Sequence, residues 1–350
     1  MSLEQRITKA WQQDSAWLKL LLPLSWLFRT ISGLRRRHLQ SQHQGESHSF
    51  GAPVIIVGNI SVGGSGKTPL IVALISALKQ RGFKPGVVSR GYGGKAPSYP
   101  LGVNADTAVA ESGDEPLLIA QLAECPVVVD ADRNAAVVYL LNHNDCDLVL
   151  SDDGLQHYGL HRDIEIVVVD GQRGFGNGRC LPAGPLRESP ARLQQADFVV
   201  LNGDRGEASH SIDVVCEQMK IAPRRMTQLC SGVSQPIDQW LIEHPRKRVY
   251  AVAAIGNPQR FADTLVSMGL EAELHSHDDH QALSAGDLCF GDDLPVIVTA
   301  KDAVKLHGAG DAHGNDSVAD NIWVLEIEAQ IESEFIDRLA AQLQSLKTAD

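Results

Sequence analysis

SVGGSGKT, residues Ser61 to Thr68, follows the apolar run Val54–Ile55–Ile56–Val57 and precedes Pro69–Leu70–Ile71–Val72–Ala73–Leu74. The first run reads as a buried strand, and the segment after the loop reads as a helix from the spacing of its apolar residues. Strand, glycine-rich turn, helix is the setting of a phosphate-binding loop. Gly63, Gly64 and Gly66 let successive backbone N–H groups face one anion at a helix N-terminus, where the peptide dipoles favour negative charge. Lys67 supplies a mobile cation for the terminal phosphates and Thr68 a hydroxyl for magnesium. The candidate nucleotide site is therefore Ser61, Val62, Gly63, Gly64, Ser65, Gly66, Lys67 and Thr68. Ser61 stands where the pattern G-x-x-x-x-G-K-[ST] has its first glycine, a departure that is harmless if the position needs no positive φ.

Asp147–Leu148–Val149–Leu150–Ser151–Asp152–Asp153 carries a second signal. An apolar strand ending in paired aspartates, downstream of a phosphate loop, is the arrangement that holds magnesium or its water ligands beside a γ-phosphate. Between the two motifs lie RGYGG (Arg90–Gly94) and ESGDEP (Glu111–Pro116). The glycines of the first suit a loop in close approach, with Arg90 placed for a phosphate or a helix end; the acids of the second sit where a helix begins. Asp132–Arg133–Asn134 opens a further helix, and the Gly-, Pro- and Arg-rich stretch 171–190 is too irregular for a core element.

Strand-like runs at 85–89, 126–130, 164–169, 198–201, 249–253, 295–298 and 322–327 alternate with helical patterns. That alternation predicts an α/β fold: a phosphate-loop domain with a mostly parallel sheet, plus a second, smaller α/β domain. A length of 350 residues agrees with two domains. The boundaries read as an amphipathic segment at 1–38, a nucleotide domain at 39–205, connecting strands at 206–246 and a C-terminal α/β domain at 247–350. In SAWLKLLLPLSWLFRTISGLRRRH (15–38) the charge-free stretch runs only from Leu20 to Phe28. That is well short of the roughly twenty apolar residues needed to span a bilayer. Its tryptophans and the following Arg35–Arg36–Arg37 suit a helix lying in a membrane interface, bent at Pro23, with a polar hinge at 39–50.

The net charge of −12 argues against a nucleic-acid partner. The first fifty residues hold seven basic and three acidic side chains, so that end carries +4 and the remainder −16. Six cysteines without a C-x-x-C pair suit free thiols in a reducing compartment.

With Ser61–Thr68, Arg90–Gly94, Gly113–Pro116, Asp152–His157, Pro182–Glu188 and Thr299–Lys305 in view, the chain resembles tetraacyldisaccharide 4′-kinase, the lipid A 4′-kinase of Gram-negative bacteria, over essentially its full length. The resemblance implies ATP- and magnesium-dependent phosphorylation of the 4′-hydroxyl of a lipid A disaccharide 1-phosphate precursor. It places a peripheral protein at the cytoplasmic face of the inner membrane, with no obligate protein partner. It further implies Lys67 and Thr68 on the phosphates and metal, with Glu115, Asp152 and Asp153 on the metal side. Asp114 falls beside the attacking hydroxyl, with His280 as its partner from the second domain, and Arg90, Arg133 and Arg187 toward the substrate. The family's aromatic–Asp–His–His–aromatic stretch is altered here to His277–Asp278–Asp279–His280–Gln281, so His275 and His277 compete with His280 for that role. The rival reading is a GTP-driven switch or metallochaperone-type NTPase, from the faint likeness of Thr299–Ala300–Lys301–Asp302 to N-K-x-D.

Overall fold

The computed structural model describes residues 3–42, 50–206, 209, 212–279, 281–307 and 321–349. The polar stretch read as a hinge lies largely outside them, as does His280. The chain opens with α1 (Leu3–Gln12), a 3-10 turn at Ala16–Leu21 and α2 (Leu22–Gln42). Pro23 sits in the first turn of α2, where a missing N–H costs nothing. The change from 3-10 to α geometry falls just before it, between Leu21 and Leu22. Leu18 and Ser25 are buried, and the Ser25 hydroxyl donates to Cys180 O at 2.8 Å. The opposite face leaves Trp17, Leu20, Leu24 and Trp26 49%, 82%, 53% and 67% exposed. Among the described residues no helix is long and apolar enough to cross a membrane.

The first half alternates as expected: β1 (Val54–Gly58), α3 (Lys67–Gln80), β2 (Pro85–Ser89), β3 (Leu101–Val103), α4 (Val109–Ser112), α5 (Asp114–Ala123), β4 (Val127–Val129), α6 (Arg133–His143), β5 (Leu148–Asp152), β6 (Ile164–Asp170) and β7 (Phe198–Asn202). Then come β8 (Glu217–Gln228), β9 (Ser234–Pro236), α7 (Ile237–Glu243), β10 (Arg248–Ala253), α8 (Pro258–Ser267), β11 (Glu271–Ser276), β12 (Val296–Thr299), α9 (Ala300–His307), β13 (Ile322–Ile331) and a terminal helix α10 (Ser333–Ala349). All thirteen strands join one sheet, ordered β11-β10-β12-β13-β8-β7-β6-β1-β5-β2-β4-β3 with β9 on β8. β4 through β8 in that order are parallel, β13 is antiparallel to β8, and β12, β10 and β11 run with β13.

The register of the β8–β13 pair sets the architecture. β7 pairs only with residues 217–219 of β8, and β12 only with residues 322–325 of β13, which face residues 226–228 of β8. The two halves thus attach to opposite ends of a two-stranded ribbon, roughly 20 Å apart at about 3.3 Å per residue. Because their strands run in opposite senses, the carboxyl ends of both sets face each other over the middle of the ribbon. In open α/β sheets the carboxyl ends are where ligand loops sit, so two such edges share one cleft.

α3 buries Leu70, Ile71, Leu74, Ile75 and Leu78 against Ile55 and Val57 of β1. Each contributes about 1.5–3 kcal/mol by leaving water. α10, grouped by the sequence boundary at 247 with the second unit, packs Phe335, Ile336, Leu339 and Leu343 into this same cluster. The second half has its own core around Trp240, Ala251, Leu265, Ile297 and Trp323.

Candidate active site

The phosphate loop is held from three sides. Gly63 and Gly66 take φ of 91° and 95°, and Gly66 caps α3, so that Lys67 and Thr68 form its first turn. Ser61 is not among the residues with positive φ; it bridges to Leu186, while Val62 N donates to Pro185 O and Arg187 N to Ile60 O. The irregular stretch 171–190 is thus the wall that fixes the loop's entry. From β7, Asn202 Nδ2 donates to Ser65 O at 2.9 Å. Arg173 donates to Gly64 O and, at 3.3 Å, to Gly256 O of the second half.

The carboxylates at the end of β5 differ in environment. Asp152 is buried, with Oδ2 accepting from Ser89 Oγ at 3.3 Å and Oδ1 unpartnered among the described groups. Burial, then the negative charges of Glu115 and Asp153, push its carboxyl up to about 7. Asp153 has φ 47°, a left-handed conformation that costs a non-glycine residue free energy. Burial raises its pKa, but Lys67 (3.5 Å) and Arg187 (3.2 Å) outweigh it and hold the carboxyl below the ordinary value. Arg133 is buried at the start of α6, donating to Asp130 O and Asp152 O at 3.0 and 3.2 Å; Arg90 stands exposed at the rim.

RGYGG and ESGDEP meet. A Cβ on Gly113 (φ 84°) would lie 2.4 Å from Tyr92 O, and one on Gly94 2.4 Å from Glu111 O, so only glycines allow this apposition. It launches α5 with Asp114 and Glu115 in its first turn, and Asp114 Oδ1 accepts from Glu115 N at 2.9 Å. Lys301, at the start of α9, comes across from the second half to 3.0 Å from Glu115, 3.8 Å from Asp114 and 3.6 Å from Asp279.

A cavity of about 1640 Å³ connects these groups. Lys67, Thr68, Glu115, Asp152 and Asp153 line one side, Gly256, Asp279 and Lys301 the other, and residues 325–331 of the ribbon the floor. Arg29, Arg35 and Arg36 of α2 border it, and its size exceeds the roughly 300–1,000 Å³ of ordinary small-molecule pockets. Arg36 stacks over Tyr158 at 5.0 Å and lies 3.7 Å from Glu188, which also accepts from Tyr158 Oη and from Gln156 Nε2. Burial pushes His157, which also lines the cavity, down to about 4, with Arg133 and Arg162 acting in the same direction, so its imidazole is neutral.

The residues singled out from sequence therefore converge: Arg133 lines the cavity while donating to two backbone carbonyls, Asp114 lies buried beside Glu115 of the lining, and His280 lies outside the described residues. His275 lies in β11 beside Tyr250 and Phe290, 3.2 Å from Glu273. Glu188, Arg173 and Lys301 carry no signal by type alone; the first two lie in an irregular loop. The guanine-signature reading fails on geometry. Asp302 is fully buried and accepts from Ala254 N, Thr299 Oγ1 and Lys305 Nζ, leaving no carboxylate to read a base.

The family profile described as tetraacyldisaccharide-1-P 4′-kinase (LpxK) matches residues 17–344. The tetraacyldisaccharide 4′-kinase of Hahella chejuensis is 42% identical over 346 residues, covering 98% of this chain and 97% of its own. That of Ectopseudomonas mendocina is 43% identical over 349 residues, 99% of both chains. A solved structure of LpxK from Aquifex aeolicus, described as an "apo" form in complex with ATP, superposes with a TM-score of 0.72 at 27% identity, over 94% of this chain and 98% of its own.

Proposed function

The chain belongs to the tetraacyldisaccharide-1-P 4′-kinase family, and from that premise we propose which residues carry its reaction. The reaction is ATP-dependent phosphorylation of the 4′-hydroxyl of a tetraacyldisaccharide 1-phosphate, the lipid A precursor. The observation that carries our assignment is the meeting of the Lys67 loop and the Asp114–Glu115 turn across one cavity. The N–H groups of Gly63 to Thr68 and the Lys67 ammonium cradle the nucleotide phosphates. Asp114 accepts the proton of the attacking sugar hydroxyl and aligns it, a task for a carboxylate held within hydrogen-bond reach. His280 partners it from the second half. Arg90 and Arg187 face the anionic substrate.

The residues present fit a magnesium ion. Asp152 keeps one buried, unpartnered oxygen and a carboxyl raised by Glu115 and Asp153, a local excess of negative charge that a cation relieves. Among the described residues no three His, Cys, Asp or Glu side chains form a full cage. Magnesium needs none, since it takes one or two carboxylates and completes its shell with water and phosphates. Thr68, Glu115 and Asp152 would hold it, and bound there it would neutralise charge developing on the phosphoryl oxygens. Asp153, expected as a further metal contact, orients Lys67 and Arg187 in this reading. The exposed apolar face of the N-terminal helices and the Arg35–Arg36–Arg37 cluster support peripheral docking on the cytoplasmic face of the inner membrane.

The test is product formation by thin-layer chromatography. Lys67→Ala and Asp114→Asn should each lower kcat by about 10²–10⁴-fold, with ATP still bound by the Asp114 variant. Wild-type turnover by Asp114→Asn would defeat the assignment.

A further inference from the structure

Thr299–Ala300–Lys301–Asp302–Ala303–Val304–Lys305 is the one sequence motif that the reading above leaves without a task. Its first half builds a rigid turn. Thr299 Oγ1 donates to Asp302 Oδ2 at 2.7 Å and accepts from Asp302 N at 3.2 Å, while Ala254 N donates to the same carboxylate oxygen at 3.2 Å. Lys305 Nζ, 2.8 Å from the other oxygen, also donates to Ala254 O and Gln281 O and lies 4.0 Å from Asp114. Lys305 is thus spent on the buried Asp302, whereas Lys301 projects from the same turn into the acidic side of the cavity.

We propose that Lys301 is a positioning residue for phosphoryl transfer: its ammonium, delivered by the second half, holds the Asp114–Glu115 turn of the first half in place against Asp279. The side chain of Lys301 is only 17% exposed, and three carboxylates from two halves of the fold lie within 4 Å of it. A buried ammonium is tolerated only where carboxylates repay its lost hydration. Without that charge, Glu115 and Asp279 lose the lysine that lies between them, while Asp114 keeps Lys305 at 4.0 Å. The acid turn then shifts relative to Lys67. A displacement of about 1 Å in a group that aligns reactants slows transfer by roughly 10²-fold. Binding of ATP by the phosphate loop is a separate matter, because Lys301 touches none of Gly63 to Thr68.

This inference rests on the roles given above to Asp114 and Glu115. It is tested by single-turnover transfer from ATP to the lipid acceptor, with ATP affinity measured by equilibrium binding, for Lys301→Met, Lys301→Gln and Lys301→Arg beside Asp114→Asn. Gln keeps the length and polarity of the side chain should Met disturb folding. Met and Gln should slow transfer about 10²-fold while ATP Kd changes less than about threefold, and Arg should recover most of the rate. Near-wild-type rates for Met and Gln would overturn the proposal. So would a loss that Arg does not recover and that is matched in Kd and Tm, since this is the mark of a structural role alone. Full activity of Asp114→Asn would instead defeat the underlying reading, whereas an inert Asp114→Asn beside a fully active Lys301→Met defeats only the inference.

Discussion

Asp152→Asn should make the metal-free protein more stable, and only at neutral to alkaline pH. Burial, Glu115 and Asp153 raise the Asp152 carboxyl from 3.8 to about 7. The native state therefore holds a proton that the unfolded chain has already lost. Such a group contributes stability that is fully present below the unfolded pKa and is lost as pH rises through about 7. A shift of roughly three units at 1.36 kcal/mol each sets a ceiling of about 4 kcal/mol, and structural relaxation reduces this to on the order of 2–4 kcal/mol. Asparagine matches the shape, keeps an acceptor for Ser89 and cannot ionise. Urea unfolding in chelator should show the variant ahead by that margin near pH 8, with the difference vanishing near pH 4. Saturating magnesium and ATP should close the gap by stabilising the wild type more than the variant. A variant less stable than wild type at pH 8, or a difference that ignores pH, would refute both the charge argument and the metal assignment drawn from it.

Gly256→Ala puts a Cβ 2.7 Å from Gly64 N and 3.4 Å from Gly63 Cα, so the second half must back away from the phosphate loop. Turnover should fall by about 10–100-fold with the melting temperature nearly unchanged, and turnover within threefold of wild type would show that the close contact is dispensable. Paired substitution of Leu20 and Trp26 by Glu removes apolar surface that is 82% and 67% exposed and should abolish flotation with anionic vesicles while leaving ATP affinity intact. These surface changes spare the buried Leu18 and Ser25 and the Trp11 Nε1 bond to Pro182 O at 3.1 Å, contacts that deletion of the whole segment would also remove.

What could be read from sequence was local. SVGGSGKT and LVLSDD each announce a strand end, a turn and the chemistry it presents, because glycine freedom and paired carboxylates need no tertiary context to be recognised. The placement of α10 had no such signal: Phe335, Leu339 and Leu343 are an ordinary amphipathic stripe, and nothing in that stripe says that it covers α3 rather than β10 or β12. Arg133 opens a helix in the sequence and lines the cavity in the fold, but its bonds to Asp130 O and Asp152 O could not be read from its position. Lys301 shows the opposite failure. In sequence it is one lysine in an imperfect signature, and its meaning depends on three carboxylates, two of them nearly two hundred residues away.

The ribbon explains how such distant residues come to share a task. β8 is flanked by β7 at 217–219 and by β9 at 225–227, and β13 by β12 only at 322–325. Residues 220–224 therefore have a neighbour only in β13, with an irregular register between Glu326 and Ile327 opposite Pro223 and Arg225. A two-stranded segment has little independent stability and twists easily, and proline at a bulge gives up a ladder hydrogen bond. α3 of the first half packs on β13, and Ala329 and Ile331 join its apolar cluster. The halves are joined by apolar packing, with Val304 of α9 in the same cluster as Leu117 of α5, and by polar contacts at the cleft: Arg173 to Gly64 and Gly256, Arg260 to Asp170 and Asn202, and Lys301 to Glu115. Three of the residues in these contacts, Gly64, Asn202 and Glu115, either belong to the phosphate loop, bond to it, or stand beside its metal in our reading. The polar bonds that join the halves at the cleft are thus the same bonds that surround phosphoryl transfer, which is why a methyl group at Gly256 should register in turnover before it registers in stability.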